Sequence, residues 1–207
     1  MGGRTVTGMR QPTTAPTDSD RPDAWSVDGF ADLAPELQQL LQPRVERLGY
    51  LGEFFRRAAR QPEALAAFIV WTERLKDALP FRLTEAIALT VAARTGNDYE
   101  RIQHERLALK RGMTREEIAA LESGRTGSCP TLGEQEVAAS ALARCLLEDF
   151  GRGCEPALLH LGRLVGEPTA AGCLMLVARY LAHSTMVNAW RLRPPVESPL
   201  AEEAHRG

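Results

Sequence analysis

The sequence predicts an all-α protein built as a single helical bundle of roughly eight helices. Three observations carry this. Apolar residues recur every three to four positions through most of the chain. No segment has the strict alternation or the β-branched density of a strand. Helix starts and stops punctuate the chain in the form of Pro, Gly and capping-box residues.

The elements follow in order. Leu37, Leu40, Leu41, Val45 and Leu48 mark a first helix over about 33–49, with Pro43 expected to kink or break it. Phe54 and Phe55 open a short segment that ends near Gln61 and Pro62. Pro62 suits the first turn of a helix carrying Phe68, Ile69, Trp71 and Leu75, which Pro80 ends. From about Leu83 to Arg94 the chain is apolar almost all round, the pattern of a central, buried helix. Gly96, Asn97 and Asp98 form a turn, and a helix follows from about Tyr99 to Arg111, stopping at Gly112. Thr114 and Glu117 read as a capping box opening a short helix that ends before Gly124, and Thr131 and Glu134 read as a second. The helix after it buries Val137, Ala138, Ala141, Cys145 and Leu146. The chain breaks at Gly151–Gly153, and two more helices follow, about 156–164 and 169–191. Tyr180 and His183 on the last one read as packing residues. Residues 1–30 and 194–207 lack apolar periodicity and are expected to be a loosely ordered arm and a flexible tail around a helical domain over 31–193.

Composition excludes several function classes. The 207 residues hold 25 Lys+Arg against 27 Asp+Glu, a net charge of −2, which gives no basic field for nucleic acid or an anionic membrane surface. No run of about 18 apolar residues stands out, so no membrane span is expected. No apolar stretch follows the first basic residues, so no secretory signal is expected. Cys129, Cys145, Cys154 and Cys173 form no C-x-x-C and no zinc-type spacing with histidine. They are expected to be reduced, buried small hydrophobes in a cytoplasmic protein. Only Lys76 and Lys110 are lysines, a bias that fits a GC-rich coding sequence, so no arginine gains weight from being arginine.

The stretch from Glu85 to His104 carries the chemistry. Glu100 and His104 are four apart, so they share a helix face. A carboxylate beside an imidazole fixes its tautomer and tunes it for general acid–base work. Glu85 opens the apolar helix. Its distance from His104 depends on how two helices cross, which spacing leaves open. Glu85, Glu100 and His104 could also suit a divalent cation, although the usual second histidine is missing.

This arrangement resembles the carboxymuconolactone decarboxylase and alkylhydroperoxidase D-like (AhpD-like) superfamily, over about Pro35 to Pro199. Peroxidase members carry a glutamate, eleven residues, C-x-x-C, three residues and a histidine. Here the glutamate matches Glu85, the histidine matches His104, and the two thiol positions fall on Asn97 and Glu100. Other members read C-E-Y-E-W-x-x-H, of which Tyr99, Glu100 and His104 match. The resemblance implies an all-α, homo-oligomeric protein (dimer, trimer or hexamer). Without a thiol at 97 or 100, disulfide-cycling peroxidase chemistry has neither nucleophile nor resolving partner. The decarboxylase branch needs no cysteine and no cofactor. The expectation is therefore a cofactor-free acid–base enzyme acting on a small organic acid or lactone by decarboxylation, isomerisation or elimination next to a carbonyl. His104, Glu100 and Glu85 would be catalytic, Tyr99 and Asn97 would bind substrate, and no metal would be held. The alternatives are a non-catalytic or ligand-binding oligomer that has lost the thiols, or a residual peroxidase-like antioxidant protein working through the remaining cysteines.

Overall fold

The computed structural model describes residues 27–201. Among them are nine α-helices and no strand: α1 (Pro35–Leu48), α2 (Glu53–Ala58), α3 (Pro62–Ala78), α4 (Phe81–Thr95), α5 (Asp98–Lys110), α6 (Arg115–Ser123), α7 (Glu134–Glu148), α8 (Glu155–Val165) and α9 (Glu167–Ala189). The all-α expectation holds, with one helix more than the rough count.

Helix α4 is the axis of the bundle. It packs against α5, α6, α7 and α9, and every residue from Leu83 to Ala92 is buried. The alanines among them let neighbouring helices approach closely, and Thr90 meets Ser140 of α7 at 2.8 Å inside the core. Three apolar clusters surround this axis. One joins α3, α4, α7, α8 and α9 through Leu83, Ile87, Leu142, Leu161 and Leu176. A second joins α1, α2 and α3 through Leu37, Leu41, Phe54 and Ile69. A third lies between α4, α5 and α6 around Leu89, Ile118 and Leu121. At the wetter end, Arg82 of α4 bridges Glu117 of α6 and Glu136 of α7, each at 2.8 Å.

Several local expectations change. Pro43 does not break α1; it sits on the exposed face of a continuous helix, where the carbonyl left without a donor faces solvent. The Thr114–Glu117 capping box forms as expected. The one read at Thr131 does not: α7 starts one residue after Gly133, and the Thr131 hydroxyl bonds Glu117 instead. The thiols are not all reduced. Cys145 near the end of α7 and Cys154 before α8 are disulfide-bonded, because the glycine-rich turn between them brings their Cα atoms to 5.7 Å; Cys129 and Cys173 are free and buried.

The domain edges also differ. The expected arm lies outside the described residues up to 26, but Val27 already donates to the Arg56 carbonyl at 3.0 Å. The stretch from Pro194 is packed as far as Ala201: Pro199 accepts from Arg115 at 2.6 Å and Leu200 rests on the third cluster. Helix α9 is long and apolar enough to cross a membrane, counter to the reading that no segment is, and half of its most apolar window is buried. It packs against α3, α4, α7 and α8 and buries Arg179 and His183, as a core helix does.

Candidate active site

The site forms where α3, α4, α5 and α9 meet. Gly96, in the left-handed region at φ 64°, ends α4, and Asn97 caps α5 by accepting from the Glu100 amide at 3.0 Å. This turn makes α4 and α5 cross so that Glu85 reaches His104. The His104 Nδ1 meets Glu85 Oε2 at 2.7 Å. Its Nε2 meets Glu100 Oε2 at 3.2 Å and the Tyr180 hydroxyl at 3.2 Å. The side chains of Glu85 and His104 are 1% and 7% exposed, and that of Glu100 is 17% exposed. Glu100 is thus the outward end of a buried chain running Glu85–His104–Glu100.

The electrostatics follow from this geometry. Burial disfavours a charged His104 ring, but Glu85 and Glu100 outweigh it and raise the pKa to about 9. The ring is therefore an imidazolium at neutral pH, and both nitrogens donate. Burial likewise pushes Glu100 upward, yet His183, His104 and Arg179 hold it well below the usual carboxylate range. Its place in the first turn of α5 also sets it against the positive end of the helix dipole. Burial keeps the Tyr180 phenol well above its ordinary pKa, so it stays protonated.

Helix α9 adds groups that sequence reasoning read as packing or passed over. Arg179 lies between the Phe68 and Tyr180 rings, 4.9 and 4.6 Å from their centroids, and its Nε donates to Thr72 of α3 at 2.9 Å. Its Nη1 stands 3.8 Å from Glu100 Oε2 and has no hydrogen-bond partner. His183 Nδ1 lies 3.5 Å from Glu100 Oε1, also without a hydrogen-bond partner. Burial lowers His183 to about 4, so it is neutral. The available signal was the i, i+4 spacing of Arg179 and His183, which puts two polar groups on one side of an otherwise apolar helix.

The other sequence candidates are placed differently. Asn97 is buried and fully used: its Oδ1 caps α5 and its Nδ2 donates to Ser184 at 3.0 Å. Tyr99 packs with α1, α2 and α3 in the second cluster, where the Phe54 backbone binds its oxygen and burial raises its pKa to about 12. Neither joins His104. Glu85 and Glu100 bind opposite nitrogens of one ring, so the three do not converge on a coordination point, and no group of metal-ligating side chains occurs among the described residues. Burial pushes the Cys173 thiol up to about 11, away from thiolate chemistry.

A cavity of about 710 Å³ lies along the same α3–α9 groove, walled by Phe54, Leu65, Phe68, Met186 and Trp190 with Arg60 and Gln61 at its edge. Phe54 and Phe68 are also the rings against which His183 rests, at centroid distances of 4.1 and 6.2 Å. An apolar chamber therefore adjoins the charged cluster through two shared side chains.

Comparison with known proteins agrees with this architecture. No curated protein matches the chain. Residues 56–145 match the carboxymuconolactone decarboxylase family. An uncharacterised peroxidase-related protein from Ralstonia eutropha with an alkylhydroperoxidase AhpD core superposes with a TM-score of 0.70 at 16% identity, covering 81% of this chain and 90% of that one. The debrominase Bmp8, as a cysteine-to-alanine variant in complex with 2,3,4-tribromopyrrole, gives 0.67 at 18% identity over 96% of this chain and 98% of its own. A protein of unknown function from Agrobacterium tumefaciens, provisionally named an AhpD antioxidant defence protein, gives 0.61 at 18% identity, covering 68% of this chain and 96% of that one. At these identities the likenesses show the fold. The segment that matches the carboxymuconolactone decarboxylase family model holds Glu85, Glu100 and His104.

Proposed function

We propose that this chain is a cofactor-free acid–base enzyme acting on a small organic acid or lactone next to a carbonyl, with decarboxylation favoured over isomerisation or elimination. The observation that carries this is the Glu85–His104–Glu100 chain, buried at one end and opening at Glu100. Glu100 occupies the position of a thiol in the peroxidase members and keeps the same glutamate and histidine behind it. A carboxylate there exchanges protons and does not cycle disulfides.

The protonation state of His104 selects among the reactions. Loss of carbon dioxide from an acid breaks a C–C bond and leaves the electron pair on an enolate, which then needs a proton at carbon. An imidazolium with a pKa of about 9 is a proton store at neutral pH. His104 passes its Nε2 proton to Glu100, Glu100 delivers it to the enolate carbon, and Glu85 holds the ring on Nδ1 throughout. The Tyr180 oxygen accepts from Nε2, which leaves its own proton to hydrogen-bond the developing oxyanion. Water then restores the proton. Cys145 and Cys154 are tied to each other and take no part. The partner inferred besides the substrate is a second copy of the chain, supported by the exposed Phe150, Leu159 and Met175.

The test follows small carboxylic acids and lactones in D₂O by NMR, reading loss of carbon dioxide and deuterium uptake next to the carbonyl. The wild-type chain is expected to turn over at least one of them, and Glu100→Gln to lose about 100-fold or more while remaining folded. Full turnover in Glu100→Gln, or none in the wild type, overturns the proposal. A non-catalytic reading is favoured by one observation, that both His104 nitrogens already have partners. It is separated by the same experiment, since it expects no wild-type turnover and loss of stability alone.

A further inference from the structure

Glu100 is ringed by more positive charge than its own neutralisation needs. Arg179 Nη1 of α9 stands 3.8 Å from it, beside the His104 imidazolium; Lys76 lies one helical turn beyond Thr72, the α3 residue that holds Arg179, and its charge and that of Arg44 of α1 interact with Glu100. Arg44 is already paired with Glu73 at 2.6 Å. Arg179 is not fully used: its Nε is on Thr72 and its Cζ lies over the Phe68 and Tyr180 rings, but Nη1 is buried without a hydrogen-bond partner. Lys76 is half-buried, and burial lowers its pKa against the pull of Glu100. It makes no hydrogen bond or ion pair with any described residue. The neutral His183 presents a second buried, unpartnered nitrogen to the same place, Nδ1 at 3.5 Å from Glu100. A buried polar nitrogen without a partner is destabilising, and two of them within 3.8 Å of one carboxylate, with a half-buried ammonium on the neighbouring helix, form an arrangement that an acceptor-only ligand would complete.

We propose that Arg179 and Lys76 form a carboxylate-binding subsite beside Glu100, so that the substrate is an organic anion whose carboxylate seats on Arg179 Nη1 and the Lys76 ammonium. This rests on the function proposed above and narrows it, because it requires the acid rather than the neutral lactone to be recognised. A carboxylate suits the place for two reasons. A guanidinium restrained by two ring contacts and by its Nε bond to Thr72 offers a planar edge that matches a carboxylate. Lys76 supplies a compact charge without competing for that edge. The apolar chamber past Phe68 lies along the same groove and suits the body of such an acid. The arrangement also couples binding to chemistry. A ligand anion takes up Arg179, one of the groups that keep Glu100 ionised, and so makes Glu100 more ready to carry the proton it must deliver.

Calorimetric titration of the full chain with benzoate, its neutral isostere benzamide, and inorganic phosphate at pH 7 tests this. Saturable benzoate binding is expected, with benzamide and phosphate at least tenfold weaker. Lys76→Met is expected to weaken benzoate about tenfold with the fold intact by circular dichroism. Arg179→Lys keeps the charge but loses the planar edge, and is expected to weaken it as much. Glu100→Gln, which removes the neighbouring negative charge, is expected to tighten benzoate even though turnover is lost. Absence of benzoate binding, benzamide or phosphate binding as tightly, or Lys76→Met binding unchanged overturns the subsite. Because Lys76 is half-buried and unpaired, its variant keeps the test decisive if Arg179→Lys does not fold. The two proposals fail separately: weakened benzoate in Lys76→Met with full turnover in Glu100→Gln sinks only the acid–base mechanism. Lost turnover in Glu100→Gln with unchanged benzoate affinity in Lys76→Met sinks only the subsite.

Discussion

Asn97 shows how one residue can hold a site without touching its chemistry. Its side chain both caps α5 and ties it to Ser184 of α9. Glu100 points correctly only if that first turn is fixed. Asn97→Ala removes the cap and leaves the Ser184 hydroxyl without its donor, so a loss of about 1–2 kcal/mol is expected. Urea denaturation reads it, and a change below about 0.5 kcal/mol would show that the cap is dispensable. At this scale the sequence was partly legible. Glu85, Glu100 and His104 were readable because the latter two share a helix face and the first sits at a fixed spacing. Arg179, Tyr180 and His183 were not, because their contacts cross some 80 positions of sequence and their own helix reads as apolar. Asn97 and Tyr99 drew attention by adjacency, yet a helix turns successive residues about 100° apart, and both face other partners.

Helix α5 carries a second polar network on a different side. Glu105 is fully buried and bonds Arg101, and Ser198 of the C-terminal stretch donates to it. Glu122 of α6 lies beside it. Burial first, and Glu105 second, raise the Glu122 pKa to about 8, so Glu122 is mostly protonated at neutral pH. A carboxyl whose folded pKa lies above its unfolded value stabilises the fold most at low pH. That contribution is present below about 4.5 and is lost as pH rises through about 8. His183, held near 4, tilts stability the opposite way between 4 and 6.5, so the difference between variant and wild type is the useful quantity. Glu122→Gln keeps a donor for Glu105 and is expected to remove a fall on the order of 3 kcal/mol between pH 5 and 8.5, measured by urea denaturation at both. Equal pH dependence in both proteins would contradict the raised Glu122 pKa. Elements themselves were the most legible level, because helix periodicity, Pro62 and the Thr114 box are local signals. The failures were local signals overridden by context: Pro43 on a solvent face, and a Thr131 hydroxyl that bonds Glu117 of α6 in place of capping α7.

At the scale of the whole molecule, the site exists only when four helices dock. Glu85 comes from α4, His104 and Glu100 from α5, Tyr180 and Arg179 from α9, and Thr72 and Lys76 from α3. Sequence spacing gave the fold class through periodicity, but the crossing of α4 and α5 is set by core packing around Leu89, Ala108 and Ile118, which no motif encodes. The same dependence makes the charge state of one histidine a report on the assembled site. A free imidazole titrates at 6.5, whereas docking between Glu85 and Glu100 moves His104 to about 9. The most direct measurement is the NMR titration of the His104 ring nitrogens, assigned with His104→Gln. Both nitrogens protonated at pH 7, titrating near 9 in the folded chain and near 6.5 in urea, is the expected result. A neutral ring at pH 7, titrating at or below 6.5 while the chain is folded, would contradict the charged relay on which the proposed chemistry depends.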